Sequence, residues 1–394
     1  MRIVLTGGGT GGHLIPFEPI IESLRTVYLE QKDSLPERIE PTKLDLFFIG
    51  IVDDKTRTFF KHYDVAAYHV PSGKLRRYAS HLTFFDMLGR LPVGIVKALY
   101  LMWKIMPDVI VSKGGYGSIP VLIAAAFYRI PFLLHESDAV SGLANRLAAR
   151  FAAAITVGFA ATREEMSRYQ HKTFVTGTPV RHEFGRVSVA EAKQAFGFKV
   201  SDMVILVVGG SQGALALNEV LLQVLPELIL QAGIIHITGD NHFTKITTVA
   251  NELLESSSRK EFYKAYPYLT DTVIEAMTAA DIVVSRAGAT TLAELTRLRK
   301  PSLLIPLPGA AYDHQRLNAQ IYERAGAARV LDPANLGRNL FLRSLTDLLE
   351  HEYLRHELAR ALTPLDHPQA GRDIALLTFK LAMGLVPVLQ EERG

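Results

Sequence analysis

Four stretches of the chain place glycines where a backbone must come close to something, and an apolar segment of helical spacing follows each. They are Gly7-Gly8-Gly9-Thr10-Gly11-Gly12-His13, Gly114-Gly115-Tyr116-Gly117-Ser118, Gly209-Gly210-Ser211-Gln212-Gly213 and Ser285-Arg286-Ala287-Gly288-Ala289-Thr290-Thr291. Glycine removes the side chain that would keep a ligand away, and the unpaired N–H groups at the next helix start favour negative or electron-rich groups. The chemistry on offer is the holding of phosphates. The first loop lacks the Lys-Ser/Thr ending of a P-loop, which argues against a Walker-type ATPase. Gly7, Thr10 and Gly12 loosely mimic a dinucleotide fingerprint, and a structural tight turn is the other reading.

Glu294 lies one helical turn beyond Thr290, where a carboxylate can accept two ribose hydroxyls while Thr290 and Thr291 meet a diphosphate. Alone it reads equally as a carboxylate complementing a helix N-terminus. In Asp313-His314-Gln315-Arg316-Leu317-Asn318, the Gln315 and Asn318 amides both donate and accept, as sugar hydroxyls require; alone, the segment reads as a solvated helix start.

The elements that must position these residues alternate. Short β-branched runs at 2–6, 44–49, 65–70, 108–112, 131–135, 154–157 and 173–176 form one series, and those at 203–208, 234–238, 281–285, 301–305 and 329–331 a second. Strands separated by helical segments predict parallel sheets covered on both faces, and the restart predicts two such domains. All four glycine loops fall at carboxyl ends of strands, where open α/β sheets hold ligands. The turn at Gly177-Thr178-Pro179-Val180-Arg181 and the mixed stretch to 200 mark the boundary. The expected division is 1–180, 181–365 and a helical tail at 366–394 that packs back on the first domain.

A chain of 394 residues, 48% hydrophobic and 21% charged, has material for two cores and none of the signature of disorder. It contains no cysteine, so disulfides, zinc-thiolate sites, iron–sulfur ligation and thiol nucleophiles are excluded. No Asp-x-Asp pair or histidine spacing suggests a metal site, and no cofactor is expected. The net charge of +3 is small, but residues 61–113 hold eight Lys or Arg (Lys61, Lys74, Arg76, Arg77, Arg90, Lys97, Lys104, Lys113) against three Asp. Without a stacking module, that excess does not indicate nucleic acid. The opening run Ile3-Val4-Leu5 is too short for a signal peptide, and no later stretch is clean enough to span a bilayer, so a soluble or peripheral protein is expected.

Taken together, GGGTGGH at 7–13, GGYGS at 114–118, HESDAVSGLANR at 135–146, GTPVR at 177–181, GGSQGA at 209–214, SRAGATTLAEL at 285–295 and DHQRLNA at 313–319 resemble the MurG family over nearly the whole chain. The resemblance implies a GT-B fold, two Rossmann-like doubly wound domains facing across a cleft. It implies an inverting transfer of N-acetylglucosamine from UDP to undecaprenyl diphosphate-linked lipid I, forming lipid II at the cytoplasmic face of the bacterial membrane. Residue by residue, Thr10, Gly11 and Gly12 match the loop near sugar nucleotide and acceptor diphosphate. Gly114, Gly115 and Tyr116 match the second acceptor-side loop, with Glu136 beside it. Arg181, Ser211 and Gln212 match donor contacts, and Leu269 the backbone that reads uracil. Ala289, Thr290, Thr291 and Glu294 match the nucleotide segment, with Glu294 on the ribose; Gln315 matches the amide reading the transferred sugar, and Asn318 is grouped with it. The family often has Gln-Asn where this chain has Ser137-Asp138, so Asp138 replaces an amide sugar contact with a charge. His314 also departs from relatives with an amide there.

For such a transfer, His13 is the first candidate base, since an unperturbed pKa of about 6.5 suits proton transfer near neutrality. A histidine that caps or orients its loop is the other reading, with Asp138 and Glu136 in reserve as bases. The basic excess at 74–104 is interleaved with Leu75, Tyr78, Phe84, Phe85, Met87, Leu88, Leu91, Tyr100 and the single Trp103, which suits an anionic membrane face. An ordinary loop and core helix is the alternative. Other classes remain open from sequence: a transferase acting on another lipid such as diacylglycerol, a sugar-nucleotide epimerase, and an NAD-dependent oxidoreductase.

Overall fold

The computed structural model describes residues 1–8, 14–32, 43–73, 89–210, 213–270 and 272–386. Two compact units emerge, Met1–Pro179 with His367–Gly394, and Val180–Asp366. Helices are numbered through both.

The first unit holds strands β1 (Arg2–Thr6), β2 (Asp45–Gly50), β3 (Ala66–His69), β4 (Val109–Ser112), β5 (Phe132–Glu136), β6 (Ala154–Val157) and β7 (Thr173–Val175). All pairs are parallel, in the order β3-β2-β1-β4-β5-β6-β7. Its helices are α1 (Phe17–Gln31), α2 (Asp54–His62), α3 (Leu91–Ile105), α4 (Ile119–Tyr128), α5 (Leu143–Ala148) and α6 (Ala160–Glu165). Because side chains alternate along a strand, Ile3 and Leu5 join Phe17, Ile20 and Leu24 of α1 in one core, while Val4 joins Ala98 and Met102 of α3 and Val121 of α4 in another. Under the first core Phe48 stacks on Phe60 at 4.1 Å, and Phe17 meets Phe48 edge-on at 5.8 Å.

The second unit contains α7 (Val189–Ala195), β8 (Val204–Val208), α8 (Leu215–Leu228), β9 (Gly233–Ile237), α9 (Phe243–Leu253), β10 (Tyr263–Tyr266) and α10 (Val273–Ala279). It continues with β11 (Ile282–Ser285), α11 (Ala289–Leu298), β12 (Ser302–Leu304), α12 (His314–Arg324), β13 (Arg329–Val330), α13 (Arg338–Glu350) and α14 (Glu352–Ala361). Its parallel sheet runs β10-β9-β8-β11-β12-β13. Ile205, Val207, Ile282 and Val284 pack with Leu217, Leu221 and Leu225 of α8 and with Phe341 and Leu345 of α13. Strand β10 is absent from the sequence expectation: it is an edge strand, and all four residues are only half-buried.

The segment after Asp366 forms α15 (Ala370–Ala382), which belongs to the first unit. Ile374, Leu377 and Phe379 enter the core with α1, and Arg372 donates to both carboxylate oxygens of Glu30 at 2.9 and 2.7 Å.

Candidate active site

In each sheet the chain starts centrally, builds to one side and then crosses to the other, so neighbouring strands send their carboxyl-end loops apart and leave a crevice. In the first unit this switch lies between β1 and β4, in the second between β8 and β11. The four glycine loops follow these four strands.

At the first switch point the loops meet backbone to backbone. Gly115 has φ +80, and a Cβ there would lie 2.6 Å from the Gly8 carbonyl oxygen; one on Gly50 would lie 2.9 Å from that of Gly7. Gly114 has φ +74, and its Cβ would overlap Asn145 Oδ1 at 2.3 Å. Only glycine satisfies both demands at these two positions. Gly114 N–H donates to Ser112 Oγ at 3.1 Å, Ser118 Oγ donates to the Gly115 carbonyl at 2.8 Å, and Ser72 Oγ donates to the carbonyl of half-buried Tyr116. Thr10, Gly11, Gly12 and His13 lie outside the described residues.

Beside this loop, β5 ends in a polar turn. Glu136 is buried; its Oε1 accepts from Asp138 N–H at 3.2 Å, and its Oε2 from Gly142 N–H and Asn145 Nδ2, each at 2.9 Å. Burial, then the charge of Asp138, pushes the Glu136 carboxyl above its usual range, against the pull of those donors. With both oxygens engaged inward, Glu136 is built to hold the turn rather than to reach an acceptor. Asp138 is half-buried, and its carbonyl accepts from Thr162 Oγ1 at 2.9 Å. His135 is fully buried, shares 3.0 Å with Thr156 Oγ1, and is held neutral by burial and by Lys113.

Lys113 is a residue to which sequence alone assigns no role. Counted there only in the basic excess of residues 61–113, it is 6% exposed at the end of β4, with its ammonium on Ser137 Oγ. Burial draws it down to about 8 despite the carboxylates of Glu136 and Asp138. A lysine between a buried strand and a glycine loop was the available signal.

At the second switch point Gly213 has φ +75, and a Cβ there would lie 2.7 Å from the Thr238 carbonyl oxygen. That loop is backed by a buried chain in which Asn218 Nδ2 donates to Thr238 O at 2.9 Å, Asn218 Oδ1 meets His236 Nε2 at 3.0 Å, and His236 Nδ1 meets the Tyr263 hydroxyl at 2.8 Å. Burial lowers His236 to about 3, so it stays neutral. Ser211 and Gln212 lie outside the described residues.

Helix α11 begins at Ala289 with Gly288 as N-cap and no side-chain cap, which leaves its first-turn N–H groups without a capping side chain. Thr290 and Thr291 are half-buried there, and Glu294, 7% exposed, follows one turn on. The turn before the helix is fixed from beneath: Arg286 donates to the Ile305 and Pro306 carbonyls at 3.1 and 3.0 Å, and Asn318 Nδ2 to the Ala287 carbonyl at 3.0 Å. Asn318 is fully buried, so it supports the turn and does not face the crevice as a sugar reader would. Gln315 Oε1 accepts from Leu307 N–H at 2.9 Å, just after Tyr312 and Asp313 adopt φ +52 and +55, left-handed values that are strained for such residues. Leu269 is buried in the turn between β10 and α10. The Arg181 guanidinium sits 5.3 Å from the centre of the Phe184 ring, and its buried Nε has no hydrogen-bond partner among the described residues.

On α3 the exposed apolar residues Val93, Val96, Tyr100 and Trp103 recur at helical spacing, with Lys97 and Lys104 exposed beside them. Leu75, Tyr78, Phe84, Phe85, Met87 and Leu88, with Lys74, Arg76 and Arg77, lie outside the described residues. No described helix is long and apolar enough to cross a membrane.

Comparison with known proteins identifies this arrangement. Residues 3–157 match the N-terminal domain of glycosyltransferase family 28, and residues 204–365 its C-terminal domain. A protein of Natranaerobius thermophilus named "UDP-N-acetylglucosamine--N-acetylmuramyl-(pentapeptide) pyrophosphoryl-undecaprenol N-acetylglucosamine transferase" is 32% identical over 385 residues, covering 97% of this chain and 100% of that one. The crystal structure of MurG from Acinetobacter baumannii superposes with a TM-score of 0.70 at 22% identity, over 96% of this chain and 99% of that one. A UDP-GlcNAc 2-epimerase from Neisseria meningitidis, bound to UDP-GlcNAc, gives 0.67 at 15% identity over 96% and 100% of the two chains. These structural likenesses establish the GT-B fold, which transferases and epimerases share. What separates them is sequence: at 32% identity over 97% of its length, and with both domains matching glycosyltransferase family 28, the chain belongs to the MurG family.

Proposed function

We propose that the chain transfers N-acetylglucosamine from UDP-N-acetylglucosamine to the N-acetylmuramyl 4-hydroxyl of undecaprenyl diphosphate-linked lipid I, with inversion, to give lipid II for peptidoglycan synthesis. The observation that carries this reading is the full-length likeness to a transferase named for that donor and acceptor. On this reading each part of the reaction falls to a different set of residues. In the second unit the uncapped start of α11 receives the diphosphate, Glu294 takes the ribose hydroxyls, Gln315 meets the sugar, and the Leu269 backbone meets uracil. Arg181, whose Nε lacks a partner among the described residues, and Ser211 with Gln212 complete the donor side.

In the first unit Gly114, Gly115 and Tyr116, with Thr10, Gly11 and Gly12, approach the acceptor, and Glu136 keeps the neighbouring turn in shape. The acceptor hydroxyl attacks the anomeric carbon in line, His13 takes its proton, and UDP leaves. Fixed N–H groups at the starts of α8 and α11 stabilise the charge developing on the leaving diphosphate without having to reorganise.

A polyprenyl-linked acceptor demands a membrane surface. The exposed stripe of α3 offers an apolar face flanked by lysines, the pattern of a helix lying against anionic lipid. The protein is read as peripheral, at the cytoplasmic face.

The deciding experiment is transfer of labelled N-acetylglucosamine from UDP to purified lipid I, with an acceptor-free control. Label in lipid II is the expected result. Label remaining on the nucleotide despite UDP binding would point to another lipid acceptor, and free or epimerised sugar would point to the epimerase class.

A further inference from the structure

A buried ammonium is expensive to desolvate, and one without partners is rare. Lys113 is a buried ammonium with partners, and its surroundings explain it. Its ammonium rests on Ser137 Oγ, the residue between Glu136 and Asp138, so its charge faces both flanking carboxylates. The rest of this turn is also tied down. Glu136 accepts from the backbone at Asp138 and Gly142, and Thr162 Oγ1 holds the Asp138 carbonyl. Asn145 donates to Glu136 from one side and abuts Gly114 on the other.

We propose that Lys113 is a positioning residue that ties the Gly114–Ser118 loop to the 137–142 turn, its positive charge offsetting the paired carboxylates so that the two loops form one fixed surface. The assignment of that surface to the acceptor and the donor sugar rests on the function proposed above; the tie itself does not. Without the ammonium, two carboxylates two residues apart face each other in a poorly solvated turn. Glu136 then takes up a proton or the turn opens.

The same charge gives a pH signature. Among the described residues, the titratable groups facing Lys113 are Glu136 and Asp138 from the β5 end and His135 from β5 itself. Glu136 is pushed up by burial and by Asp138, and His135 stays neutral. As pH rises through about 8, Lys113 loses its proton and the two carboxylates lose the one positive charge that faces them, so transfer falls on the alkaline side.

The test compares the full-length chain with Lys113→Met, Asp138→Asn and the double variant. Thermal unfolding at neutral pH, without substrate, reads the tie; steady-state transfer across pH reads its use. Lys113→Met is expected to melt lower than the parent chain, and the double variant higher than Lys113→Met, since removing Asp138 removes the uncompensated charge. At neutral pH Lys113→Met should cut kcat by about tenfold or more, lose the inflection near 8, and do less harm in the Asp138→Asn background. An additive melting cycle would overturn the assignment whatever the activity, as would a Lys113→Met variant with the parent rate and pH profile. A parent chain that makes no lipid II sinks the activity reading alone, because the melting cycle uses no substrate.

Discussion

At the start of α11, single residues divide the proposed donor contacts from their supports. Glu294 lies on the first turns of an uncapped helix, whereas Asn318 and Arg286 hold the turn that starts it. Replacing Glu294 with alanine should weaken UDP binding by about tenfold to a hundredfold, the worth of charge-assisted hydrogen bonds, as read by calorimetry. His13→Ala should leave that affinity intact and lower kcat by about a hundredfold or more, the usual loss of a general base; near-normal turnover would end its assignment as the base. The glycine loops at the carboxyl ends of β1, β4, β8 and β11 were legible in the sequence, because glycine runs after apolar strands carry their geometry in type and spacing. What it could not show was which polar groups point inward. Asn318 and Glu136 look like ligand contacts on a linear reading, and Lys113 like one more cation in a basic stretch. Only the third dimension reveals that each is enclosed and bonded to the loops it stands beside.

Elements buried on both faces announced themselves as continuous apolar runs, and the strands expected in each series fall within a residue or so of those found. Strand β10 escaped because an edge strand needs neither continuous burial nor alternation: Tyr263-Lys264-Ala265-Tyr266 reads as loop until β9 is there to pair with it. Helix α3 shows the reverse case. Its sequence is apolar almost throughout, so spacing alone could not say which stripe faces the core. The structure gives that role to Gly94, Ala98, Leu101, Met102 and Ile105, leaving Val93, Val96, Tyr100 and Trp103 outside. Changing Val96, Tyr100 and Trp103 to serine should sharply reduce binding to vesicles containing anionic lipid, since each buried aromatic or aliphatic group contributes about 1.5–3 kcal/mol. UDP binding should be spared. Vesicle binding equal to the parent chain's would rule out this face as the lipid contact.

Over the whole molecule, two similar sheets each put glycine loops at the point where strand order reverses, so one architectural rule is used twice. The first unit is not continuous in sequence. Phe379 of α15 is fully buried in a core built by α1 and the sheet, and Phe379→Ala should destabilise that unit by about 3–5 kcal/mol. Chemical unfolding followed by a probe in the first unit would measure the loss; an unchanged midpoint would mean the helix docks without contributing. The return of α15 also imposes an order on biosynthesis. As the ribosome emits the chain, Met1–Pro179 is exposed first but lacks one helix of its core, while Val180–Asp366 can finish as soon as it is clear of the tunnel. The unit translated first is therefore completed last, and a polypeptide cut off after Asp366 would have its second unit whole and its first unfinished.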